Sequence, residues 1–195
     1  MKYIGIRPAA TYYRFRPLKN LLFINFVSIA HLFVISLKKY SEPKIRVPKF
    51  CEENGFYTTK ARSSNMSKIK GSNTKPEKLL KKALWHAGLR HKRNHRKLPG
   101  KPDIAFLKYK LVIFIDGSFW HGHEWERRKQ QIHSNRGFWI PKIERNMQRD
   151  REVNHYYRIK KWTVLRFWDF EIKNELGVCV KRVLEHLKSL APPHH

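Results

Sequence analysis

The chain has 195 residues, enough for one domain of ordinary size with some length to spare. Its 42 Lys and Arg against 15 Asp and Glu leave a net charge of +27, which repels itself and calls for a polyanionic partner; it argues against an enzyme that meets only small neutral substrates. Hydrophobic residues at 41% and aromatics at 13% exclude general disorder, and Cys51 and Cys179, with no CxxC, exclude a disulfide scaffold or zinc ribbon and fit a reducing, intracellular setting.

Residues 20–37 form an uncharged, largely apolar run flanked by Lys19 and by Lys38-Lys39. The run is near the lower limit of a membrane-spanning helix, about 17–25 residues, but it contains Asn25, Ser28, His31 and Ser36. A buried or poorly ordered extension is the expectation, and membrane association is not. Residues 40–58, with Pro43, Pro48 and Gly55, read as a linker. The chain thus divides into an extension, 1–57, and a domain, 58–195, with Met66 a candidate second start.

Within the domain, Thr74-Lys75-Pro76-Glu77 is a capping box with proline in the first turn. Leu79, Leu80, Ala83, Leu84 and Ala87 follow at helical spacing until Gly88. After the turn cluster at 98–102, residues 103–107 and 111–115 read as two strands of a hairpin. A polar and aromatic loop is expected over 116–137. Ile140, Ile143, Met147 and Val153 space a long helix to about Lys160, residues 163–167 form a third strand, and Val178, Val180, Val183, Leu184 and Leu187 mark a final amphipathic helix. The order predicts a small α/β domain with a mixed sheet.

Asp103 opens one strand of the hairpin and Asp116 closes the other, so both carboxylates fall at one edge of the sheet. Hard oxygen ligands in such a place suit Mg²⁺, which polarises a phosphodiester. Taken singly, each Asp is better read as a turn residue. Their joint placement, after Lys101-Pro102 and before a histidine-rich loop, favours a metal site. In that loop His121 suits general-base work, and His121 with His123 also suits metal binding, against the plainer reading of solvated histidines. Phe119 and Trp120 are either base-stacking rings or packing anchors. Asn146 and Asp150, four apart with Arg149 between them, share a helix face that is either solvated or turned to the sheet edge.

Taken together, these residues resemble the very short patch repair (Vsr) DNA mismatch endonucleases over roughly residues 59–172. The likeness runs through Arg62-Ser-Ser-Asn-Met-Ser-Lys-Ile69, Thr74-Lys-Pro-Glu77, Leu98-Pro-Gly-Lys-Pro-Asp103 and Val112-Ile-Phe-Ile-Asp-Gly-Ser-Phe-Trp-His-Gly-His123. It continues through Phe138-Trp139, Lys142-Ile143, Asn146, Arg149-Asp150 and Trp162-Thr-Val-Leu-Arg-Phe-Trp168. The resemblance implies an α/β, restriction-endonuclease-like (PD-(D/E)XK) fold, a mixed sheet flanked by helices, here with an N-terminal extension. It implies Mg²⁺-dependent nicking of one DNA strand 5′ to the T of a T:G mismatch.

Carried over by motif, Asp103 is the principal metal ligand and the Ile115 carbonyl a second, with Asp116 adding its carboxylate. His121 is the catalytic histidine, Glu77 an acidic residue of the first helix near the metal, and Asp150 a carboxylate that assists histidine or water. Phe119, Trp120 and Trp139 form a wedge that intercalates beside the mismatch, where unstacking costs least. Family members commonly carry a structural zinc, but at its places this chain has Ser118, Trp125 and Phe170, with only His123 retained. One histidine does not hold tetrahedral zinc, so zinc is expected to be absent. The expected partner is mismatched double-stranded DNA, met by a cytoplasmic monomer; no repair-protein partner is legible. A related restriction-type or mobile-element endonuclease without mismatch dependence is the alternative, and a DNA-binding protein with a dead site fits less well because the candidate catalytic groups are all present.

Overall fold

A computed structural model describes residues 40–69, 71–90, 92–93 and 97–190; the apolar run at 20–37 lies outside them. In chain order, the elements are α1 (Lys60–Ser67), α2 (Lys75–His86), β1 (Lys92–Arg93), β2 (Ile104–Phe106), β3 (Leu111–Asp116), α3 (Trp125–Gln130), α4 (Arg136–Ile159), β4 (Thr163–Trp168), α5 (Asp169–Asn174) and α6 (Leu176–Leu190). The strands lie in the order β1-β2-β3-β4. β1 with β2 and β2 with β3 are antiparallel, while β3 and β4 are parallel, joined through α3 and α4.

Residues of β3 are buried on both faces, which is why Leu-Val-Ile-Phe-Ile reads as a continuous apolar run without alternation. On one face Ile104, Leu111, Ile113, Leu165 and Phe167 pack against Leu80 and Leu84 of α2, Ile172 of α5, and Cys179, Val183 and Leu187 of α6. The i, i+4 spacing within α2 and α6 supplies those apolar stripes. On the other face Ala105, Val112 and Phe114 meet Val153 and Tyr157 of α4. The result is a mixed sheet between helical layers.

Four elements escape the sequence pattern. α1 buries no side chain and is started only by the Thr59 hydroxyl, which accepts from the Arg62 amide. α3 interrupts the expected 116–137 loop and buries only Trp125, so it leaves no apolar period. α5 is a short helix whose Glu171 accepts from the Trp168 amide, with Ile172 buried. β1 has only two residues.

Residues 40–58 do not behave as a free linker. Phe50 and Phe56, both half-buried, lie against Phe138 of α4, and Gln148 bonds the backbone of Pro43 and Ile45. Among the described residues no helix is long and apolar enough to cross a membrane.

Candidate active site

The parallel β3–β4 pair and the start of β2 bring together residues far apart in sequence. A cavity of about 500 Å³ opens at this edge of the sheet, lined among others by Glu77, Asp103, Asp116, His121, Asn146 and Arg149. Asp103 sits where β2 begins. Its amide donates to the Ile113 carbonyl at 3.0 Å, and its Oδ2 accepts from the Ile115 amide at 2.8 Å. The side chain thus serves as a ladder acceptor just beyond the end of the paired strand. Burial pushes the Asp103 carboxyl up to about 7; the Ile115 amide and Lys81 oppose this, and the charges of Glu77 and Asp116 add to it.

Asp116 is 4% exposed. Its Oδ2 accepts from Arg166 at 2.8 Å, and its Oδ1 is 3.5 Å from His121 Nδ1. Burial pushes its carboxyl up, and Arg166 and His121 pull it back only in part. Asp150, on α4, meets the same two partners: Oδ2 lies 2.6 Å from His121 Nδ1 and Oδ1 lies 3.0 Å from Arg166. For Asp150 burial raises the carboxyl, but the hydrogen bond from His121 and the Arg166 guanidinium outweigh it and hold it low. A carboxylate at that distance places the neutral imidazole's proton on Nδ1 and leaves Nε2 as the basic nitrogen.

One turn earlier on α4, Asn146 donates to the Trp120 carbonyl at 3.0 Å. The polar face formed by Asn146 and Asp150 is therefore turned to the loop and grips two successive residues of it. Between His121 and His123, Gly122 has φ +70, and a Cβ there would meet the Met147 side chain, so a larger residue would be strained and would displace Met147. Glu77 also reaches the cavity wall, but its carboxylate accepts from the Asn73 and Thr74 amides, the Thr74 hydroxyl and Lys81. It is a helix cap as much as a cavity group.

The three aromatic candidates lie together. Ring centroids are 5.1 Å apart for Phe119 and Trp120, 6.0 Å for Phe119 and Trp139, and 5.9 Å for Trp120 and Trp139. Phe119 is 42% exposed at the tip of the cluster. At the places a family zinc would take, the His123 ring lies edge-on to Trp168 and Phe170, centroids 4.9 and 4.8 Å away, with its Nδ1 buried and unpartnered. Trp125 is buried and donates to Glu144, and the Ser118 amide donates to Asp169. Among the described residues no group of three or more His, Cys, Asp or Glu is arranged to hold a metal ion.

Arg166 is the site residue that motif reading missed. It joins Asp116 to Asp150 and lies 4.7 Å from the centroid of the Phe114 ring. The available signal is its place as a lone charge inside Thr-Val-Leu-Arg-Phe-Trp, a strand otherwise almost entirely apolar.

Comparison with known proteins identifies the family of the chain. Residues 54–127 match the family described as DNA mismatch endonuclease Vsr. The chain is similar to the type II nicking enzyme V.NmeDIP of Neisseria meningitidis serogroup C, 44% identical over 131 residues, which cover 67% of this chain and 88% of the relative. It is similar to the type II nicking enzyme V.HpaIIP of Haemophilus parainfluenzae, 53% identical over 106 residues, or 54% and 74% of the two chains. The DNA mismatch endonuclease Vsr of Escherichia coli (strain K12) is 32% identical over 127 residues, or 65% and 81%. The chain belongs to the Vsr family of DNA mismatch endonucleases.

Proposed function

We propose that the chain is a Mg²⁺-dependent endonuclease on a PD-(D/E)XK-type sheet that nicks one strand of duplex DNA 5′ to the T of a T:G mismatch. The observation that supports this best is the His121–Asp150 pair, 2.6 Å apart, opening on the same cavity as Asp103 and followed back along its own loop by the exposed Phe119.

Asp103 fits a hard divalent cation. Its buried carboxyl, with Glu77 and Asp116 adding negative charge, is under-neutralised by the protein alone. Asp103 and the Ile115 carbonyl are the residues that would hold Mg²⁺, which when bound supplies polarisation of the phosphodiester. Asp116 belongs instead with Arg166 and His121, since its carboxylate oxygens face those partners.

The protein's own groups divide the remaining work. Asp150 keeps the proton of His121 on Nδ1, so that Nε2 accepts the proton of an attacking water. Arg166 neutralises Asp116 and Asp150 together and keeps both aimed at the imidazole. Arg149, exposed at the cavity, and Lys101 beside it are placed to meet phosphate oxygens. Phe119, Trp120 and Trp139 insert beside the mispair. The remaining basic surface holds the duplex without regard to sequence.

The test compares nicking of T:G, T:A and C:G duplexes in Mg²⁺ and in EDTA. Preference for T:G that vanishes in EDTA supports the reading. Equal, Mg²⁺-dependent nicking of all three replaces it with a mismatch-independent endonuclease.

A further inference from the structure

Residues 40–53 lie upstream of the stretch that matches the family, yet the segment 40–57 is held to α4 at two places by the same device. At one end the buried Gln148 carboxamide accepts from the Ile45 amide at 2.9 Å and donates to the Pro43 carbonyl at 2.7 Å. At the other end the Asn135 carboxamide accepts from the Tyr57 amide at 3.3 Å and donates to the Tyr57 carbonyl at 2.7 Å. Glu42 adds a two-point ion pair with Arg151. A carboxamide that offers one donor and one acceptor grips a backbone as a neighbouring strand would.

Between the clamps the segment turns its rings inward. Phe50 and Phe56 stack at 5.8 Å, and Phe50 meets Phe138 edge-on at 4.9 Å. Phe138 meets Trp139 at 5.0 Å, and Trp139 touches both Trp120 and Phe119. The aromatic contacts therefore run unbroken from the segment to the exposed tip of the wedge. Asn135, which clamps Tyr57, is also the N-cap of α4, and its carbonyl accepts from the Trp139 amide at 3.0 Å. Trp139 and Phe50 also line a cavity of about 320 Å³, shared with Arg62 and Met66 of α1.

We infer that residues 40–57 are a positioning strap: through Phe50 and the Asn135 clamp they fix the angle of Trp139 and so set how well the enzyme selects a mismatch, without taking part in phosphodiester hydrolysis. The inference rests on the mismatch-nicking reading. A ring held before the duplex arrives inserts at lower cost, because any freedom it keeps must be lost on binding.

The test uses the full chain with Phe50→Ala, Phe50→Leu and Asn135→Gly, the last keeping the left-handed backbone and removing only the clamp. Two readouts are taken at one salt concentration: single-turnover nicking of T:G and T:A duplexes, and the fluorescence rise of 2-aminopurine placed beside the mispair, which reports unstacking without cleavage. The expected result is a fall of about tenfold in the T:G to T:A ratio for Phe50→Ala and Asn135→Gly, with the T:A rate within about twofold of wild type, a smaller 2-aminopurine rise and partial rescue in Phe50→Leu. An unchanged ratio overturns the strap, and so does a parallel fall of both rates with the unfolding midpoint, which marks a stability role alone. If wild type itself shows no T:G preference, the mismatch reading fails and the 2-aminopurine signal decides the strap alone. A rise in wild type that Phe50→Ala loses supports it; no rise in wild type overturns it.

Discussion

His121 Nδ1 and Asp150 Oδ2, from the loop after β3 and from α4, lie 2.6 Å apart, and the pair fixes which imidazole nitrogen faces the cavity. His121→Ala is expected to lower single-turnover nicking by about 10²–10⁴-fold, the usual worth of a general base. Asp150→Asn keeps the shape but presents a carboxamide that tolerates either tautomer, so its rate falls by a comparable order and its pH dependence shifts. Measured rates for His121→Ala within about threefold of wild type would return the residue to an ordinary loop histidine.

Asp103→Asn separates cleavage from binding. Cleavage is lost, because the carboxylate is the charge that would place Mg²⁺, while affinity for duplex, carried by the basic surface, changes little. Undiminished cleavage removes Asp103 from the site.

The same substitution changes stability with a definite sign. In EDTA the folded chain holds the Asp103 carboxyl at about 7, well above its value in the unfolded chain, about 3.9. The folded state therefore binds this proton more tightly. The contribution is fully present below about pH 4 and is lost as pH rises through about 7, on the order of a few kcal/mol at most. Thermal melts in EDTA between pH 5 and 8 are expected to fall for wild type, and Asp103→Asn is expected to flatten that slope and melt higher at pH 8. Parallel curves would show that the raised carboxyl lies elsewhere.

Trp120→Ala is expected to lower the T:G to T:A nicking ratio while leaving affinity for matched duplex nearly unchanged, since phosphate contacts carry no sequence information. Loss of affinity with the ratio intact would make Trp120 a packing residue.

Zinc is expected far below one per chain in protein purified without added metal. His123 is packed between Trp168 and Phe170, and Cys179 is buried in the core with its thiol pushed up to about 11 by that burial. Stoichiometric zinc by elemental analysis would mean that ligands converge from elsewhere in the chain.

The elements legible in the sequence are those that bury a periodic stripe. Leu80 and Leu84 announce α2, the unbroken run of β3 announces a strand covered on both faces, and Val183 and Leu187 announce α6. α1 and α3 bury none and one of their side chains, so pattern is silent there. The candidate site was legible where a motif kept its residues together, as at Asp103 and His121. Arg166 was not, because its role depends on β4 lying parallel to β3, which puts it across from Phe114 and within reach of Asp116 and Asp150. Residues 40–58 look like a linker because Ile45, Val47 and Phe50, all half-buried, follow no single period among the prolines and charges.

The mixed order of the sheet bears on when this chain becomes dangerous to DNA. Asp103 and Asp116 come from an antiparallel hairpin, but Arg166 reaches Asp116 and Asp150 only after β4 has added in parallel, past the whole of α4. A parallel strand closes a long loop and forms late compared with a hairpin. On the proposed reading, a chain in which β4 has not yet joined would carry its net positive charge with Arg166 still away from Asp116 and Asp150. On the proposed mechanism, cleavage competence would arrive only with β4, the last strand in the chain.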